Sequence, residues 1–294
     1  MKKTILISES GAGQRTDVFV AALLHKYSRS SLKALFDAGS VKINGKSTKP
    51  GYKLRAGEKL SMDTAKISKR PDPVELPIIY QDDDVIVINK PAGVLTHSKG
   101  ALNLEPTVAS FIAAKLKDKT LSGNRAGIVH RLDRPTSGVI ICARNTSALK
   151  WLQREFAGRK AKKFYNAIVE GEIKPQAAII DAPIGRNPNK PQTFKAMAGG
   201  KPAQTEYKVK EIYRKDNRVY SLIELKPRTG RTHQIRVHLA YIGHPVAGDG
   251  VYGKGGADTP LLLHARKLEL TLPNGKRKSF LAPLPGTFKE FKEL

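Results

Sequence analysis

The sequence predicts an α+β fold, in which a small N-terminal α/β module precedes a larger domain with a mixed, largely antiparallel central β-sheet flanked by helices and loops. In the larger part of the chain, strand-like apolar runs outnumber helical patterns and do not alternate regularly with them. This order favours α+β over a doubly wound parallel sheet. Residues 64–75 are polar and contain two prolines, which is the composition of a linker. The sequence therefore predicts domains at 1–63 and 76–294.

The N-terminal module combines two helical patterns with short strands. Arg15 and Asp17 open the first amphipathic helix, and the second is capped within residues 28–31 and ends at Gly39. A short alternating strand then runs into an Asn-Gly turn, which is typical of a β-hairpin. The module is predicted to be compact and basic.

The larger domain begins with a hairpin whose second strand, residues 85–90, is apolar on both faces and is therefore predicted to be central. Two apolar runs, residues 127–129 and 139–143, predict buried strands on either side of a polar loop. Helices are expected to start after Thr146 or Ser147 and after Thr232. Further strands are predicted at residues 162–171, 203–213, 218–226 and 261–271.

Charge is the strongest compositional signal. The chain has 52 Lys and Arg against 26 Asp and Glu, a formal net charge of +26. Residues 1–75 carry 15 basic and 7 acidic side chains, and the remainder carries 37 and 19, so both parts are basic. An excess of this size indicates a polyanionic partner such as a nucleic acid.

Cysteine usage and hydropathy indicate the compartment. The single cysteine, Cys142, lies in an apolar strand and is predicted to be a small buried hydrophobe, so no disulfide framework can form within the chain. The N-terminus lacks the apolar stretch of a signal peptide, and no run reaches membrane-spanning length. We expect a soluble, cytoplasmic, monomeric protein with no membrane partner.

The polar loop at residues 130–138 is the first candidate site. Asp133 is closely flanked there by Arg131 and Arg134, and Pro135 forces a turn rather than a helix. A carboxylate among arginines on a loop between core strands is a candidate functional group. The alternative is a simple turn in which Asp133 caps its own backbone.

The second candidate site spans residues 228–239 and contains three arginines and two histidines. His233 and His238, with His244 and His264, could suggest a metal site. Five positions correspond to about 140° around a helix, so His233 and His238 do not share a ligand face. We predict no metal site.

Several motifs occur in an order that resembles the RluA/RluD-type family of pseudouridine synthases. They are His-Arg-Leu-Asp at 130–133 with Thr-Ser-Gly at 136–138, Lys-Phe-Tyr-Asn-Ala at 163–167, Gly-Arg-Thr-His-Gln-Ile-Arg at 230–236, Gly-His-Pro at 243–245 and Gly-Asp at 248–249. Lys-Pro-Ala-Gly at 90–93 and Gly-Lys-Pro-Ala at 200–203 with Thr205 also match. The resemblance covers residues 76 to 294, with one departure at Pro135, where the family usually carries a polar residue.

The resemblance implies the following catalytic residues. Asp133 would be the nucleophilic or proton-abstracting carboxylate, and Arg236 the arginine that pairs with it, with Arg231 the less favoured candidate. An arginine nearby would keep the carboxylate ionised, because an opposite charge favours the charged form. Tyr165 would stack on the target base and is the candidate to take the proton from carbon five of that base.

The resemblance also implies substrate-binding residues. Arg131 would insert into the space left by the flipped nucleotide, and Ile235 would form the apolar floor under the base. His130 is interpreted as structural or RNA-facing rather than as a general base. Residues 1–63 resemble the small RNA-binding domain named after the fourth small-subunit ribosomal protein. In that domain Arg29, Lys33 and Lys46 would contact RNA, the alternative being solvated surface charges.

The resemblance implies an isomerase that converts specific uridines to pseudouridine, with large-subunit ribosomal RNA as the expected target and transfer RNA as the alternative. The reaction cuts the glycosidic bond, rotates the base and rejoins it through carbon, which requires a carboxylate and a base flipped out of its helix. It rearranges atoms already in the substrate, so no cofactor is expected. A glycosidase would need paired carboxylates, and the loop offers only Asp133. A non-catalytic RNA-binding or ribosome-assembly protein is the remaining alternative. Asp133 could attack the anomeric carbon, attack carbon six or remove the 2′ proton, and the sequence leaves these open.

Overall fold

The computed structural model of the chain describes residues 2–25, 27–65, 72–98, 105–215, 217–256 and 259–293. Half of the predicted linker, residues 66–71, lies outside the described residues. The chain forms two compact units, the first comprising Met1–Val74, His97–Ser110 and Ser122–Ala126 and the second Glu75–Thr96, Phe111–Leu121 and Gly127–Leu294. Two segments from within the predicted 76–294 domain thus group with the first unit, and the predicted boundaries stay a prediction.

In the first unit, helices α1 (Thr16–Leu23) and α2 (Arg29–Asp37) share one apolar core with a four-stranded antiparallel sheet. The sheet has the order β1–β4–β2–β3, and its strands are β1 (Lys2–Leu6), β2 (Val41–Ile43), β3 (Lys46–Ser47) and β4 (Lys59–Asp63). A short 3-10 helix covers Glu9–Gly11. Asn44 and Gly45 have φ values of 48° and 81°, as a two-residue hairpin turn requires. The predicted Asn-Gly turn is confirmed.

The second unit is built on a nine-stranded sheet with the spatial order β5–β6–β7–β14–β8–β13–β12–β9, in which β15 also pairs with β14. The strands are β5 (Ile78–Gln81), β6 (Val85–Lys90), β7 (Ser137–Ala143), β8 (Lys162–Glu170), β9 (Ala177–Asp181), β12 (Gln204–Lys215), β13 (Arg218–Pro227), β14 (Leu263–Thr271) and β15 (Arg277–Leu281). A separate hairpin pairs β10 (Ile184–Arg186) with β11 (Phe194–Ala196). Within the described strands, β7 and β14 run parallel and the other pairs are antiparallel. The predicted mixed, largely antiparallel sheet is confirmed.

Helices cover two parts of this sheet. The helices of the second unit are α4 (Thr146–Ala157), α5 (Gln234–Tyr241) and α6 (Gly286–Glu293), and a further helix, α3 (Val108–Ala113), has residues in both units. The buried side of α4 packs on β6 and β7, and that of α5 packs on β8 and β13. Strand β6 is buried along most of its length, as its continuous apolar pattern predicts. No helix in the described part of the chain is long and apolar enough to cross a membrane.

One predicted strand and the predicted starts of two helices are wrong. Residues 127–129 form a single bridge, from Ile128 to Cys142, because Gly127 has a φ of 72° that no extended strand contains. Helix α4 is capped by Asn145, whose side chain accepts a hydrogen bond from the amide of Ala148. Helix α5 begins after His233 rather than after Thr232, because His233 adopts left-handed backbone angles.

Candidate active site

The loop that carries Asp133 is held by buried hydrogen bonds on both sides of that residue. The ammonium group of Lys90, which is fully buried, donates to the carbonyls of Pro91, Val94 and Arg134 at 3.0, 2.8 and 3.2 Å. Burial lowers the pKa of Lys90 to about 7. The hydroxyl of Thr96 donates to the carbonyl of Leu132 at 2.9 Å, and the amide of Leu132 donates back at 3.1 Å. The backbone around Asp133 is therefore tied to the end of β6 and the segment that follows it.

His130, at the start of the loop, lines the cavity but its ring is held by contacts within the protein. Its Nε2 accepts a hydrogen bond from the amide of Ile141 at 3.0 Å, and its ring stacks on Phe156 with centroids 4.5 Å apart. Burial lowers the pKa of His130 to about 3. The ring is neutral at physiological pH and carries its proton on Nδ1, and its contacts agree with the structural interpretation of this residue.

Two nitrogen atoms face the carboxylate of Asp133 without forming a hydrogen bond to it. Nη1 of Arg236 lies 3.6 Å from Oδ2, and Nε2 of His233 lies 3.9 Å from Oδ1. Both distances exceed a direct hydrogen bond. The Asp133 side chain keeps 17% of its surface exposed. The carboxylate therefore sits beside positive charge while both of its oxygens stay available.

Arg236 is held by a second carboxylate. Its Nε and Nη2 donate to Oδ2 and Oδ1 of Asp249 at 2.7 and 2.8 Å, and both side chains are buried. Oδ1 of Asp249 also accepts hydrogen bonds from the amides of Val251 and Tyr252. This bidentate geometry fixes the plane of the guanidinium and directs its remaining nitrogen towards Asp133.

Tyr165 and Ile235 form an apolar side of the same site. Tyr165 lies on β8 and Ile235 at the start of α5, and both belong to the core cluster that includes Ala167 and Leu263. Burial, together with the charge of Asp133, raises the pKa of Tyr165. The phenol is therefore protonated at neutral pH and close enough to Asp133 to respond to its charge.

A cavity of about 1110 Å³ is lined by Asp133, Tyr165, His233, Ile235 and Arg236. That volume exceeds a typical small-ligand pocket and can hold a nucleotide with its neighbours. Its lining contains many more basic than acidic side chains: Arg131, Arg159, Lys162, Lys163, Lys226, Arg228, Arg231 and Arg236 against Asp133 and Glu206. The cavity is therefore suited to a phosphate-bearing ligand.

The structure separates the two arginine candidates for pairing with Asp133. Arg231 precedes α5, and its Nε donates to the carbonyl of Pro202 at 3.0 Å. Arg236, within α5, is the one that faces Asp133. Arg131 is exposed at the cavity wall, where its guanidinium can reach a ligand.

The three RNA-contact candidates of the first unit lie on its helix and hairpin. Arg29 donates to Asp17 at 2.6 Å, and Lys33 pairs with Asp37 at 2.7 Å. Lys46 is exposed on β3 and forms no ion pair with any described residue. These contacts agree both with RNA-binding residues and with solvated surface charges.

Sequence reasoning missed three residues of the site: His233, Asp249 and Tyr252. The sequence presents His233 as part of the 230–236 motif and as a possible metal ligand, and within the described residues no group of three potential metal ligands occurs. In the sequence, Asp249 stands out only as part of a Gly-Asp motif. The sequence feature that could have pointed to Asp249 and Tyr252 is the short glycine-rich segment at 248–253. Its position in the sequence does not show that it packs against α5.

The site combines a carboxylate that forms no hydrogen bond with any described residue, a buried guanidinium beside it and a basic cavity. On this α+β sheet, such a site defines an enzyme whose substrate is a polyanion. A model of the RNA pseudouridylate synthase family matches residues 84–241. An uncharacterized RNA pseudouridine synthase of Aquifex aeolicus is 37% identical, over 96% of this chain and 90% of that protein. The ribosomal large subunit pseudouridine synthase D of Neisseria meningitidis serogroup B is 39% identical, over 93% and 76%.

Solved structures agree with these sequence matches. Human RNA pseudouridylate synthase domain containing 1 superposes with a TM-score of 0.60 and 28% identity, covering 72% of this chain and 87% of that one. The chain belongs to the RNA pseudouridylate synthase family. It is accordingly an isomerase of the class that converts uridine in RNA to pseudouridine.

Proposed function

We propose that this protein isomerises specific uridines in large-subunit ribosomal RNA, with Asp133 as the catalytic carboxylate. The observation that carries the proposal is the setting of Asp133. No described residue hydrogen-bonds either of its oxygens, yet Arg236 lies 3.6 Å away inside a basic cavity. Relatives named as ribosomal large subunit pseudouridine synthases, 34–39% identical to this chain, support the choice of RNA.

The chemistry requires an ionised carboxylate that is free to react. The guanidinium of Arg236 places a positive charge 3.6 Å from the carboxylate of Asp133. A carboxylate that was already hydrogen-bonded would lose those bonds on attack, and Asp133 has none to lose. Attack on the anomeric carbon, attack on carbon six and removal of the 2′ proton all use this same group.

Tyr165 and Ile235 receive the flipped base, and Arg131 takes its place in the RNA helix. The ring of Tyr165 and the side chain of Ile235 offer apolar surface on which a flipped base stacks. Because its phenol is protonated, Tyr165 takes the proton from carbon five only if its own proton passes to a neighbouring acceptor. Arg131, which is exposed, fills the place that the base leaves.

The basic cavity supplies RNA affinity through phosphate neutralisation. We propose that Arg29, Lys33 and Lys46 also contact RNA and add to this affinity. They lie in residues 1–63, which resemble the RNA-binding domain of a ribosomal protein. The proposal also places the enzyme in the cytoplasm, as a monomer.

The test compares the wild-type protein with Asp133→Asn on two transcripts, large-subunit ribosomal RNA and transfer RNA. Pseudouridine is mapped by chemical modification and primer extension, and RNA binding is measured by filter retention. We expect site-specific pseudouridine in ribosomal RNA with the wild type, none with Asp133→Asn, and binding within about threefold for both. Retained isomerisation in Asp133→Asn contradicts the assigned carboxylate. Modification of transfer RNA alone contradicts the assigned target, and binding without any pseudouridine indicates a non-catalytic protein.

A further inference from the structure

Tyr252 connects two parts of the site that are distant in sequence. Its hydroxyl oxygen accepts a hydrogen bond from the amide of Phe194 at 3.0 Å and lies 2.8 Å from Nδ1 of His233. Its ring stacks under the guanidinium of Arg236, whose central carbon is 5.1 Å from the ring centroid. Tyr252 therefore contacts both residues that face Asp133.

These contacts favour one of the two positions for the ring proton of His233, because only one lets the hydroxyl proton of Tyr252 form a hydrogen bond with a described residue. The amide of Phe194 can only donate, so it occupies an acceptor position on the Tyr252 oxygen. The hydroxyl proton of Tyr252 has no other acceptor among the described residues, so it is donated to Nδ1 of His233. Nδ1 is then an acceptor, and the ring proton is on Nε2.

We infer that Tyr252 is a positioning residue that holds His233 as an Nε2–H donor directed at Oδ1 of Asp133. Nε2 lies 3.9 Å from Oδ1, on the other side of the carboxylate from the Arg236 contact at 3.6 Å to Oδ2. Donor distances of this kind commonly shorten when a substrate is bound. With its proton on Nε2, His233 is a donor to the carboxylate and not a base.

One loop positions both donors. Asp249 holds Arg236 through two hydrogen bonds, and Tyr252, three residues later, holds His233. Oδ1 of Asp249 also accepts a hydrogen bond from the amide of Tyr252 at 3.0 Å. The residue that holds Arg236 and the residue that holds His233 are therefore bonded to each other. The segment at residues 248–253 thus has a role in the reaction although none of its side chains is assigned to touch the substrate.

The backbone of His233 supports a dedicated role for its side chain. Its φ is 55°, a left-handed conformation that few residues other than glycine adopt. Gln234 stabilises this turn, since its side chain accepts from Thr229 and Arg231 and donates to Gln204 and Thr205. The strain is therefore compensated by a fully bonded neighbour.

Burial is the main factor that favours the neutral ring of His233. Burial lowers the pKa of His233, Asp133 and Asp249 act in the opposite direction, and Arg236 and Arg131 lower it further. A neutral ring has one proton to place, and Tyr252 decides where it goes.

The first experiment reads the tautomer directly by ¹⁵N NMR of histidine-labelled protein, with His233 assigned from the spectrum of His233→Gln. We expect the wild type to be protonated on Nε2, and Tyr252→Phe, which keeps the ring but removes the hydroxyl, to populate the Nδ1-protonated form. Tyr241→Phe removes an exposed hydroxyl at the end of the same helix and is expected to leave the spectrum of His233 unchanged. Protonation on Nδ1 in the wild type, or an unchanged tautomer in Tyr252→Phe, overturns the inference.

The second experiment compares His233→Gln with His233→Ala, which share the strained backbone but differ in the donor. Glutamine keeps an N–H near the Nε2 position, so we expect kcat within about fivefold of wild type, whereas alanine lowers kcat about ten- to a hundredfold with KM unchanged. Equal kcat values for the two variants contradict the donor role. This part rests on the proposed function, but the NMR result does not. A wild type that forms no pseudouridine therefore disproves the function while the tautomer still tests the role of Tyr252.

Discussion

Arg236 faces two carboxylates but bonds to only one of them. Two of its nitrogens donate to Asp249 at 2.7 and 2.8 Å, and the third lies 3.6 Å from Asp133. The strong, bidentate pair is thus structural, and the looser contact belongs to the reactive group. This division keeps positive charge beside Asp133 without using up the lone pairs that the reaction needs.

Removing the charge of Asp249 should therefore damage the site through Arg236. We expect Asp249→Asn to lose about 3 kcal/mol of unfolding free energy, because it leaves a buried guanidinium without its counter-charge. A displacement of Arg236 by about 1 Å would lower kcat about 100-fold. Urea denaturation and single-turnover pseudouridine formation measure the two effects.

The matched control is Asp37→Asn, which breaks the exposed Lys33–Asp37 pair. Exposed pairs contribute little, so the change in unfolding free energy should stay below about 0.5 kcal/mol. If Asp249→Asn is no more harmful than this control, Asp249 does not position Arg236.

Substitution of Tyr165, on β8, separates the role of its ring in RNA binding from the role of its hydroxyl in catalysis. We expect Tyr165→Phe to bind RNA as the wild type does, because the stacking surface remains, and to lower the rate about 100-fold if the hydroxyl takes part in proton transfer. Filter binding and single-turnover kinetics separate the two. A rate equal to wild type would restrict Tyr165 to stacking.

His130 should make stability depend on pH in the acidic range. Its pKa is about 3 in the folded protein against about 6.5 in an unfolded chain. Between these values the unfolded state binds more protons, so the stability due to the neutral ring is present above pH 6.5 and is lost as the pH falls towards 3.

The variant His130→Gln keeps an acceptor for the amide of Ile141 but does not titrate. The difference in unfolding free energy between wild type and variant should change by a few kcal/mol from pH 7 to pH 4, since one pKa unit is about 1.4 kcal/mol. Denaturation curves at several pH values measure it. A difference that is constant with pH would show that His130 titrates normally in the folded state.

The three basic residues of the first unit should differ in their effect on RNA binding. Lys33 is already paired with Asp37, whereas Lys46 has no such partner to give up among the described residues. We expect Lys46→Ala to reduce the slope of log affinity against log salt by about 0.7–0.9, and Lys33→Ala to reduce it less. Binding assays at several salt concentrations provide the slopes, with Lys117→Ala, an exposed and paired lysine of the second unit, as the control. Equal slopes for all three variants would leave these residues as solvated surface charge.

Much of this protein follows from sequence because the relevant information is local. The order of apolar runs determined the α+β class, and the Asn-Gly pair determined the turn between β2 and β3. The flanking arginines and proline made Asp133 conspicuous, and the excess of basic residues indicated a polyanion. In each case neighbours in the chain, or simple totals, carry the signal.

Tertiary structure decided which groups surround Asp133. Sequence spacing alone could not place Arg236 rather than Arg231 beside it, because the choice depends on where α5 begins and which turn of it faces the loop. Asp249 and Tyr252 lie more than 100 positions from Asp133, and only the tertiary fold brings them against Arg236 and His233, the two residues that face Asp133. Distances between such segments depend on the whole fold, whereas sequence periodicity specifies geometry only within one helix or strand.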